Sequence, residues 1–253
     1  MTTAMPPALA VTGATKRFGA VLALDDVDLA VHHGEVLALL GDNGAGKSTL
    51  IACLSGVLRL DAGTMRMDGK EVDVTSPTSA RGHGIETVYQ DLALFDNLDP
   101  AANFFAGREI AGPRWLPRGL RYMRRSAMAG VTADVLNRLQ VGIPDGRASV
   151  GLMSGGQRQA IAVARAAIFA SRVVILDEPT AALGLRESRR VLDLIRRLRD
   201  EGRAVIVISH AMDHVIEIAD RAAIMRRGRK VGEVTPHADN RQRIVSLIVG
   251  GDG

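Results

Sequence analysis

The chain has 253 residues, of which 47% are hydrophobic and 24% are charged, as in an ordinary globular protein with a full hydrophobic core. No apolar run reaches the roughly 18–20 residues of a membrane-spanning helix, and no basic stretch followed by an apolar core begins the chain. The single cysteine, Cys53, excludes an internal disulfide and favours a reducing compartment. We therefore expect a cytoplasmic protein without a signal peptide or transmembrane segment.

The net charge of +4 raises the question of nucleic-acid binding. Acidic residues interrupt the basic clusters, and aromatic residues make up only 3% of the chain, which leaves few rings for stacking bases. Net charge by itself is a weak argument for such a partner. We predict that the protein binds no nucleic acid.

In the N-terminal third, short strands precede and follow a glycine-rich turn. Residues 21–41 favour two strands separated at 32–34, and the second is nearly continuous in apolar residues, as a strand buried on both faces is. A helix is predicted over 47–58. A hairpin follows, with its turn at Asp68-Gly69.

Strand signals fade between about Asp91 and Ala170, where helical patterns surround a Pro/Gly/Arg loop at 112–121. Strands and helices then alternate: a strand over 172–178, an amphipathic helix over 186–202, a strand over 203–210, a hairpin over 221–234 and a final helix over 241–251. This order predicts an α/β core interrupted by a mainly helical insertion.

The segment GDNGAGKS matches the phosphate-loop pattern G-x-x-x-x-G-K-[ST] between an apolar strand and a helix. Its glycines let backbone N–H groups point at phosphate oxygens, and the helix N-terminus adds a positive dipole end. Lys47 is predicted to bridge the β- and γ-phosphates of ATP, and the Ser48 hydroxyl to ligate Mg²⁺. The predicted nucleotide-binding residues here are Gly41, Asn43, Gly44, Ala45, Gly46, Lys47, Ser48 and Thr49.

Two acids, Asp177 and Glu178, follow a buried strand, where carboxylates are costly unless they are paired, solvated or bound to a cation. In a phosphate-loop enzyme, an acid at this strand end helps to hold Mg²⁺, and a second acid accepts a proton from the attacking water. We assign Asp177 to the metal and Glu178 to the general base. The alternative is a pair of solvated acids in a surface turn.

Five segments in chain order, GDNGAGKST, VYQD, MSGGQRQ, VVILDEPT and VISH, together resemble the ATP-binding cassette (ABC) family of transporter ATPases. The resemblance covers nearly the whole chain and is more specific than the phosphate loop alone. It implies a P-loop NTPase core with a parallel sheet, an antiparallel β part near the N-terminus and a mainly helical inserted subdomain. It also implies one nucleotide-binding domain over 1–253, with an ATP-binding core at 1–91 and 166–253 and a helical signature subdomain at 92–165.

The resemblance assigns three further side chains to the site. Gln90 matches the glutamine that reaches Mg²⁺ and the attacking water, and His210 matches the histidine that contacts the γ-phosphate. Phe18 falls where the family places an aromatic ring on adenine, with a packed core ring as the alternative. The four-residue spacing of His210 and His214 also fits metal ligands on a helix, but no second ligand cluster accompanies it.

The signature run of the family is represented by MSGGQ, in which Met153 replaces the usual leucine with similar apolar bulk. The resemblance implies that the run closes over the γ-phosphate held by another subunit, so that two chains enclose two ATP molecules. The alternative is a serine N-cap followed by flexible glycines. The residues concerned are Ser154, Gly155, Gly156 and Gln157. Gly184 stands where the family often has an aspartate, which puts the usual cross-dimer contact there in doubt.

Segments 84–110, 177–187 and 208–234 resemble the ATPases of ribose- and fructose-type sugar importers, several of which carry two cassettes in one polypeptide. Because each motif occurs once here, a second copy of the chain or another ABC ATPase subunit is needed. The resemblance implies ATP-driven import of a monosaccharide through an integral-membrane permease, fed by a periplasmic or extracellular substrate-binding protein. The chain would lie peripherally on the cytoplasmic face of the plasma membrane. There are three alternatives. The chain could be an importer ATPase for another cargo such as an amino acid, an exporter ATPase, or a soluble ABC protein that acts on DNA or the ribosome.

Overall fold

A larger, mostly parallel sheet and a smaller antiparallel sheet form the fold of the computed structural model, which describes residues 5–112, 115, 117, 122–143 and 145–250. The strands are β1 (Leu9–Phe18), β2 (Val21–Val31), β3 (Val36–Gly41), β4 (Ala62–Met67), β5 (Lys70–Val72), β6 (Ile85–Val88), β7 (Ala111–Gly112), β8 (Tyr122–Met123), β9 (Val173–Asp177), β10 (Ala204–Ile208), β11 (Arg221–Arg226) and β12 (Arg229–Val234).

Seven helices of the described chain lie between these strands, and α8 follows β12. They are α1 (Lys47–Leu54), α2 (Pro77–Gly82), α3 (Pro100–Phe105), α4 (Arg125–Arg138), α5 (Gly155–Phe169), α6 (Leu185–Asp200), α7 (Met212–Ile218) and α8 (Arg241–Val249). None of the described helices is long and apolar enough to cross a membrane.

The larger sheet has the strand order β12-β11-β3-β10-β9-β6, in which only β12 runs antiparallel to its neighbour. Its inner strands are buried on both faces because successive apolar residues point in opposite directions. Val173 and Ile175 of β9 face a core shared with α1 and the antiparallel sheet, whereas Val174 and Leu176 face a core shared with α5 and α6. The carboxyl ends of β3, β6, β9 and β10 therefore meet at one edge of the sheet.

The antiparallel sheet has the order β2-β1-β4-β5 and confirms the β part predicted near the N-terminus. The predicted hairpin turn at Asp68-Gly69 joins β4 to β5, and the hairpin predicted over 221–234 is the β11–β12 pair. The predicted final helix is α8. The α/β fold class inferred from the sequence is confirmed.

The insertion after β6 is mainly helical, as predicted, and contains α3, α4 and the beginning of α5. It also contains the short β7–β8 pair, which the sequence did not predict because strands of two residues have no readable periodicity. Most of the Pro/Gly/Arg loop predicted at 112–121 lies outside the described residues. The predicted boundary between residues 165 and 166 falls inside the continuous helix α5, so the division into subdomains stays a prediction.

Candidate nucleotide-binding site

A cavity of about 520 Å³ opens at the carboxyl edge of the larger sheet, within the usual size range of small-molecule sites. The phosphate loop, the ends of β1, β9 and β10, the segment after β6 and the β11–β12 turn form its walls. Of the residues predicted from the sequence, the cavity brings together Phe18, Asn43, Gly44, Ala45, Gly46, Lys47, Ser48, Thr49, Gln90, Asp177, Glu178 and His210.

The phosphate loop depends on glycine at its two ends. A β-carbon on Gly46 would lie 2.7 Å from the carbonyl oxygen of Ala23, and one on Gly41 would overlap the carbonyl oxygen of Met225. Gly46 also has a φ of 102°, which favours glycine. Helix α1 starts directly afterwards, with neither a side-chain cap nor an acid in its first turn among the described residues. Its first N–H groups therefore suit an anionic ligand.

Lys47 is buried under the phosphate loop, with 7% of its surface exposed. Its Nζ donates hydrogen bonds to the carbonyl oxygens of Gly41 (2.8 Å) and Asp42 (3.0 Å). Burial lowers the pKa of Lys47, while the nearby charges of Glu178, Asp42 and Asp177 act in the opposite direction. The hydrogen bonds fix the ammonium group in place beside the cavity, where a phosphate can pair with it.

The acidic pair, Asp177 and Glu178, also lines the cavity. Asp177 is the last residue of β9 and lies opposite Ile208 of β10 in the parallel pairing. Glu178 follows with a φ of 50°, in the left-handed region, and its N–H donates to the carbonyl oxygen of Ile208 at 2.9 Å. This backbone conformation costs a non-glycine residue about 1–2 kcal/mol and is concentrated at functional sites. The turn brings Glu178 into the cavity wall.

Burial raises the pKa of both carboxyl groups, because it removes solvent from their charged forms. The charges of Lys47 and His210 oppose this rise. His210 Nε2 lies 3.3 Å from Oε1 of Glu178, yet this buried oxygen has no hydrogen-bond partner in the described part of the chain. Glu178 also lines the cavity, and a carboxylate with a raised pKa at a cavity wall is suited to accept a proton from a water there.

The side chains predicted to bind Mg²⁺ offer oxygen ligands from three different elements. Ser48 contributes a hydroxyl, Gln90 an amide oxygen and Asp177 a carboxylate, and all three residues line the same cavity. Mg²⁺ prefers such ligands and keeps several waters, so this set fits it. The described residues contain no cluster of three or more His, Cys, Asp or Glu side chains that suits a metal ion, and His214 instead makes a 2.9 Å hydrogen bond with Thr180 Oγ1.

Phe18 ends β1 at the rim of the cavity and is 47% exposed, so its ring is not enclosed in the core. The ammonium group of Lys16 lies 5.9 Å from the ring centroid. A half-exposed aromatic ring at a cavity rim is a suitable surface for stacking a base.

The signature run lies at the N-terminus of α5 and does not line the cavity of its own chain. Ser154 caps the helix: its Oγ accepts from the Gln157 N–H at 3.3 Å, and its own N–H donates to Gln157 Oε1 at 2.9 Å. A β-carbon on Gly156 would overlap the side chain of Glu187 from α6. Leu152, just before the run, and Leu185, at the start of α6, are exposed by 84% and 82%. Ser154 therefore does cap the helix, as the alternative interpretation of the run requires. The surface around it also exposes two leucine side chains to solvent.

Helix α5 also contacts the segment that follows Gln90. Arg165 donates hydrogen bonds to the carbonyl oxygens of Leu92 (2.9 Å) and Ala93 (2.8 Å), and burial lowers the pKa of its guanidinium. One rigid helix thus connects the signature run, which begins with Ser154, to the chain segment that leaves the cavity.

Sequence reasoning missed the contribution of the β11–β12 turn. Arg227 and Gly228 line the cavity, and the Gly228 N–H donates to the carbonyl oxygen of Ala45 at 3.0 Å. The basic cluster around the turn is visible in the sequence, as is the hairpin. Their position beside the phosphate loop follows only from the pairing of β11 with β3.

Comparison with known proteins agrees with this geometry. A family model described as ABC transporter matches residues 24–181. The chain is 46% identical to a fructose import ATP-binding protein of Rhizobium meliloti, over 98% of this chain and 95% of that protein. It is 43% identical to a ribose import ATP-binding protein of Rubrobacter xylanophilus, over 97% of this chain and 48% of that protein.

A solved nucleotide-free ATP-binding cassette from an ABC transporter has the same fold, with a TM-score of 0.82 at 23% identity over 96% of this chain and 97% of that one. The fold is therefore that of the P-loop NTPases, and the family match shows that ATP is the nucleotide bound and hydrolysed. The chain belongs to the ABC transporter family.

Proposed function

We propose that the chain is the ATP-hydrolysing subunit of an importer for a monosaccharide. The observation that carries the proposal is the convergence of the phosphate loop, Gln90, the Asp177-Glu178 pair and His210 on one cavity. The names of the relatives, which are fructose and ribose import proteins, support the choice of cargo class.

ATP binds with its adenine on Phe18 and its phosphates on the phosphate loop. The N–H groups at the start of α1 donate to phosphate oxygens, and Lys47 contacts the β- and γ-phosphates. Mg²⁺, held by Ser48, Gln90 and Asp177, would neutralise charge on the same phosphates.

Hydrolysis places a water between Glu178 and the γ-phosphorus. Glu178 accepts a proton from the water while the water oxygen forms a bond to the γ-phosphorus. The bond between the γ-phosphorus and the β–γ bridging oxygen breaks, and ADP leaves with the electron pair of that bond. Lys47 and His210 stabilise the charge on the transferring group. The raised pKa of Glu178 makes it a stronger base than an exposed glutamate.

A second chain completes each site. Because the signature run does not line its own cavity, we assign Ser154, Gly155, Gly156 and Gln157 to the nucleotide of a partner, which is a copy of this chain or another ABC ATPase subunit. The α5 N-terminus is suited to a phosphate, and the exposed Leu152 and Leu185 beside it are suited to burial against another chain.

In this proposal, residues 1–91 and 166–253 form the ATP-binding core, and the helical insertion at 92–165 carries the signature run and contacts the permease. The insertion carries a groove of about 890 Å³ lined by residues of α3 and α4 and by the exposed Phe95 and Met123. The hydrogen bonds from Arg165 connect this region to the segment after Gln90. The subunit works peripherally at the cytoplasmic face of the membrane, and a substrate-binding protein delivers the sugar on the other side.

Affinity purification of the tagged chain from detergent-solubilised membranes of its host tests the proposal. We expect a multi-span permease to co-purify, and ATP hydrolysis by the complex to rise with a sugar-loaded binding protein. Recovery of the chain without any membrane partner would contradict the proposal. Stimulation of its ATPase activity by DNA or ribosomes would instead support the soluble alternative.

A further inference from the structure

The β11–β12 turn places a cation at the rim of the nucleotide cavity. Arg227 and Gly228 are the turn residues between Arg226 and Arg229, which pair across the hairpin. Arg227 lines both the nucleotide cavity and a second cavity of about 420 Å³, and phosphate-loop residues line both of them. Arg227 therefore lies beside the phosphate loop in both cavities.

The turn is held against the phosphate loop by its backbone. The Gly228 N–H donates to the Ala45 carbonyl at 3.0 Å, and the Gly228 carbonyl accepts from the Asp25 N–H at 2.9 Å. A β-carbon on Gly228 would lie 2.9 Å from the carbonyl oxygen of Ala23, so the approach is close. Arg227 is thus attached to a fixed support rather than to a mobile loop tip.

Among the described residues, no acidic side chain pairs with Arg227. The next two basic residues are paired, Arg229 with Asp25 at 2.5 Å and Lys230 with Glu233 at 3.0 Å. Arg227 forms no ion pair or hydrogen bond with any residue in the described ranges. A cation without a partner at the wall of an anion-binding cavity is available to the ligand.

The backbone conformation of Arg227 is unfavourable for arginine. Its φ is 49° and that of Gly228 is 81°, the combination found in two-residue hairpin turns that prefer Asn-Gly or Asp-Gly. Arginine at the first position therefore costs folding free energy relative to asparagine. This cost is consistent with a role for the side chain outside folding.

We propose that Arg227 is a further nucleotide-binding residue, whose guanidinium contacts the phosphate chain of a nucleoside di- or triphosphate in the cavity of its own chain. The inference rests on the proposed site and adds a residue to it. It predicts that the turn contributes affinity for the phosphates and none for the nucleoside.

The substitution Arg227→Asn separates nucleotide binding from a structural role, because it should lower ADP affinity while raising the stability of the nucleotide-free protein. ADP affinity, measured by titration of a fluorescent ADP analogue at monomeric protein concentrations, should fall about tenfold or more, as expected for loss of a hydrogen bond to a charged group. The Tm of the nucleotide-free protein should rise by about 2 °C, since asparagine tolerates the turn conformation better. The Kd of adenosine, which has no phosphate, should be the same for Arg227→Asn and for the unmodified protein. It is obtained by displacement of the analogue.

Two variants serve as controls. Arg226→Ala removes a neighbouring guanidinium that lines only the second cavity, and should leave ADP affinity unchanged. Arg227→Lys keeps the charge and should retain part of the affinity. Unchanged ADP affinity in Arg227→Asn, or an equal loss in Arg226→Ala, would overturn the inference.

Lys47→Ala in the same titration distinguishes the inference from the proposed site. Weak ADP binding by Lys47→Ala together with normal binding by Arg227→Asn would overturn the role of Arg227 alone. Normal ADP binding by Lys47→Ala would show that the cavity is not the nucleotide site, and both proposals would fail.

Discussion

The substitution Glu178→Gln removes the proposed general base while keeping the size of the side chain. General bases contribute about 10²–10⁴ to the rate of proton transfer, so kcat for ATP hydrolysis should fall by about this factor. ATP binding should persist, because Lys47 and the phosphate loop remain. A further expected result is accumulation of an ATP-bound dimer, since the site closes but does not turn over.

The same substitution should stabilise the nucleotide-free protein, with a defined pH dependence. Burial raises the pKa of Glu178 above its ordinary value of 4.5, so the folded state prefers the protonated form. Above the raised pKa the folded chain carries a poorly solvated charge that costs stability; below about 4.5 both folded and unfolded states are protonated and the cost vanishes. The gain in Tm of Glu178→Gln should therefore be largest near neutral pH and disappear on acidification.

Assays of phosphate release test the expected fall in kcat. Thermal unfolding at about one-unit steps between roughly pH 4 and 8 tests the expected gain in Tm. Glu71→Gln, at an exposed glutamate of β5, is the control and should change neither activity nor Tm. Turnover near that of the unmodified protein would refute the assignment of Glu178 as base. A lower Tm at neutral pH would refute the electrostatic reasoning.

Two further substitutions test other parts of the site. Phe18→Ala should weaken ATP binding by about 1–3 kcal/mol, the usual contribution of one base–aromatic stack, while the Tm of the nucleotide-free protein changes little because the ring is 47% exposed. Ser154→Arg should leave ADP binding by the isolated chain intact but abolish hydrolysis, because the arginine blocks closure of the signature run on a partner.

The control for Phe18→Ala is a second binding measurement, and the control for Ser154→Arg is a mixture of two variants. For Phe18→Ala, affinity for inorganic triphosphate should be unchanged, and a large fall in Tm would show that the ring belongs to the core. For Ser154→Arg, mixing with Glu178→Gln should restore hydrolysis, since each mixed dimer contains one site with an intact cavity and an intact signature run. Full activity of Ser154→Arg alone would contradict the assignment of the run to a partner.

Much of the site could be predicted because it depends on local sequence. The phosphate loop is encoded by a short pattern between a buried strand and a helix, and the acidic pair follows another buried strand. Parallel strands bring their carboxyl ends to one edge, so the two segments meet. Gln90 and His210 have no such local pattern, and only the order of motifs identified them.

Other features depend on contacts that the sequence does not display. The left-handed conformation of Glu178 accompanies a hydrogen bond to Ile208, and the position of Arg227 follows from the pairing of β11 with β3. The β7–β8 pair is too short for a periodic pattern. In each case the decisive contact joins residues that are distant in the chain.

The most direct test of the account is the rate of ATP hydrolysis per chain as a function of protein concentration, measured with the purified protein and ATP in excess. Because the phosphate loop and the signature run of one chain do not share a cavity, the account predicts that the rate per chain rises from near zero in dilute solution to a plateau as dimers form. A rate per chain that stays at its plateau value in a strictly monomeric preparation would contradict it.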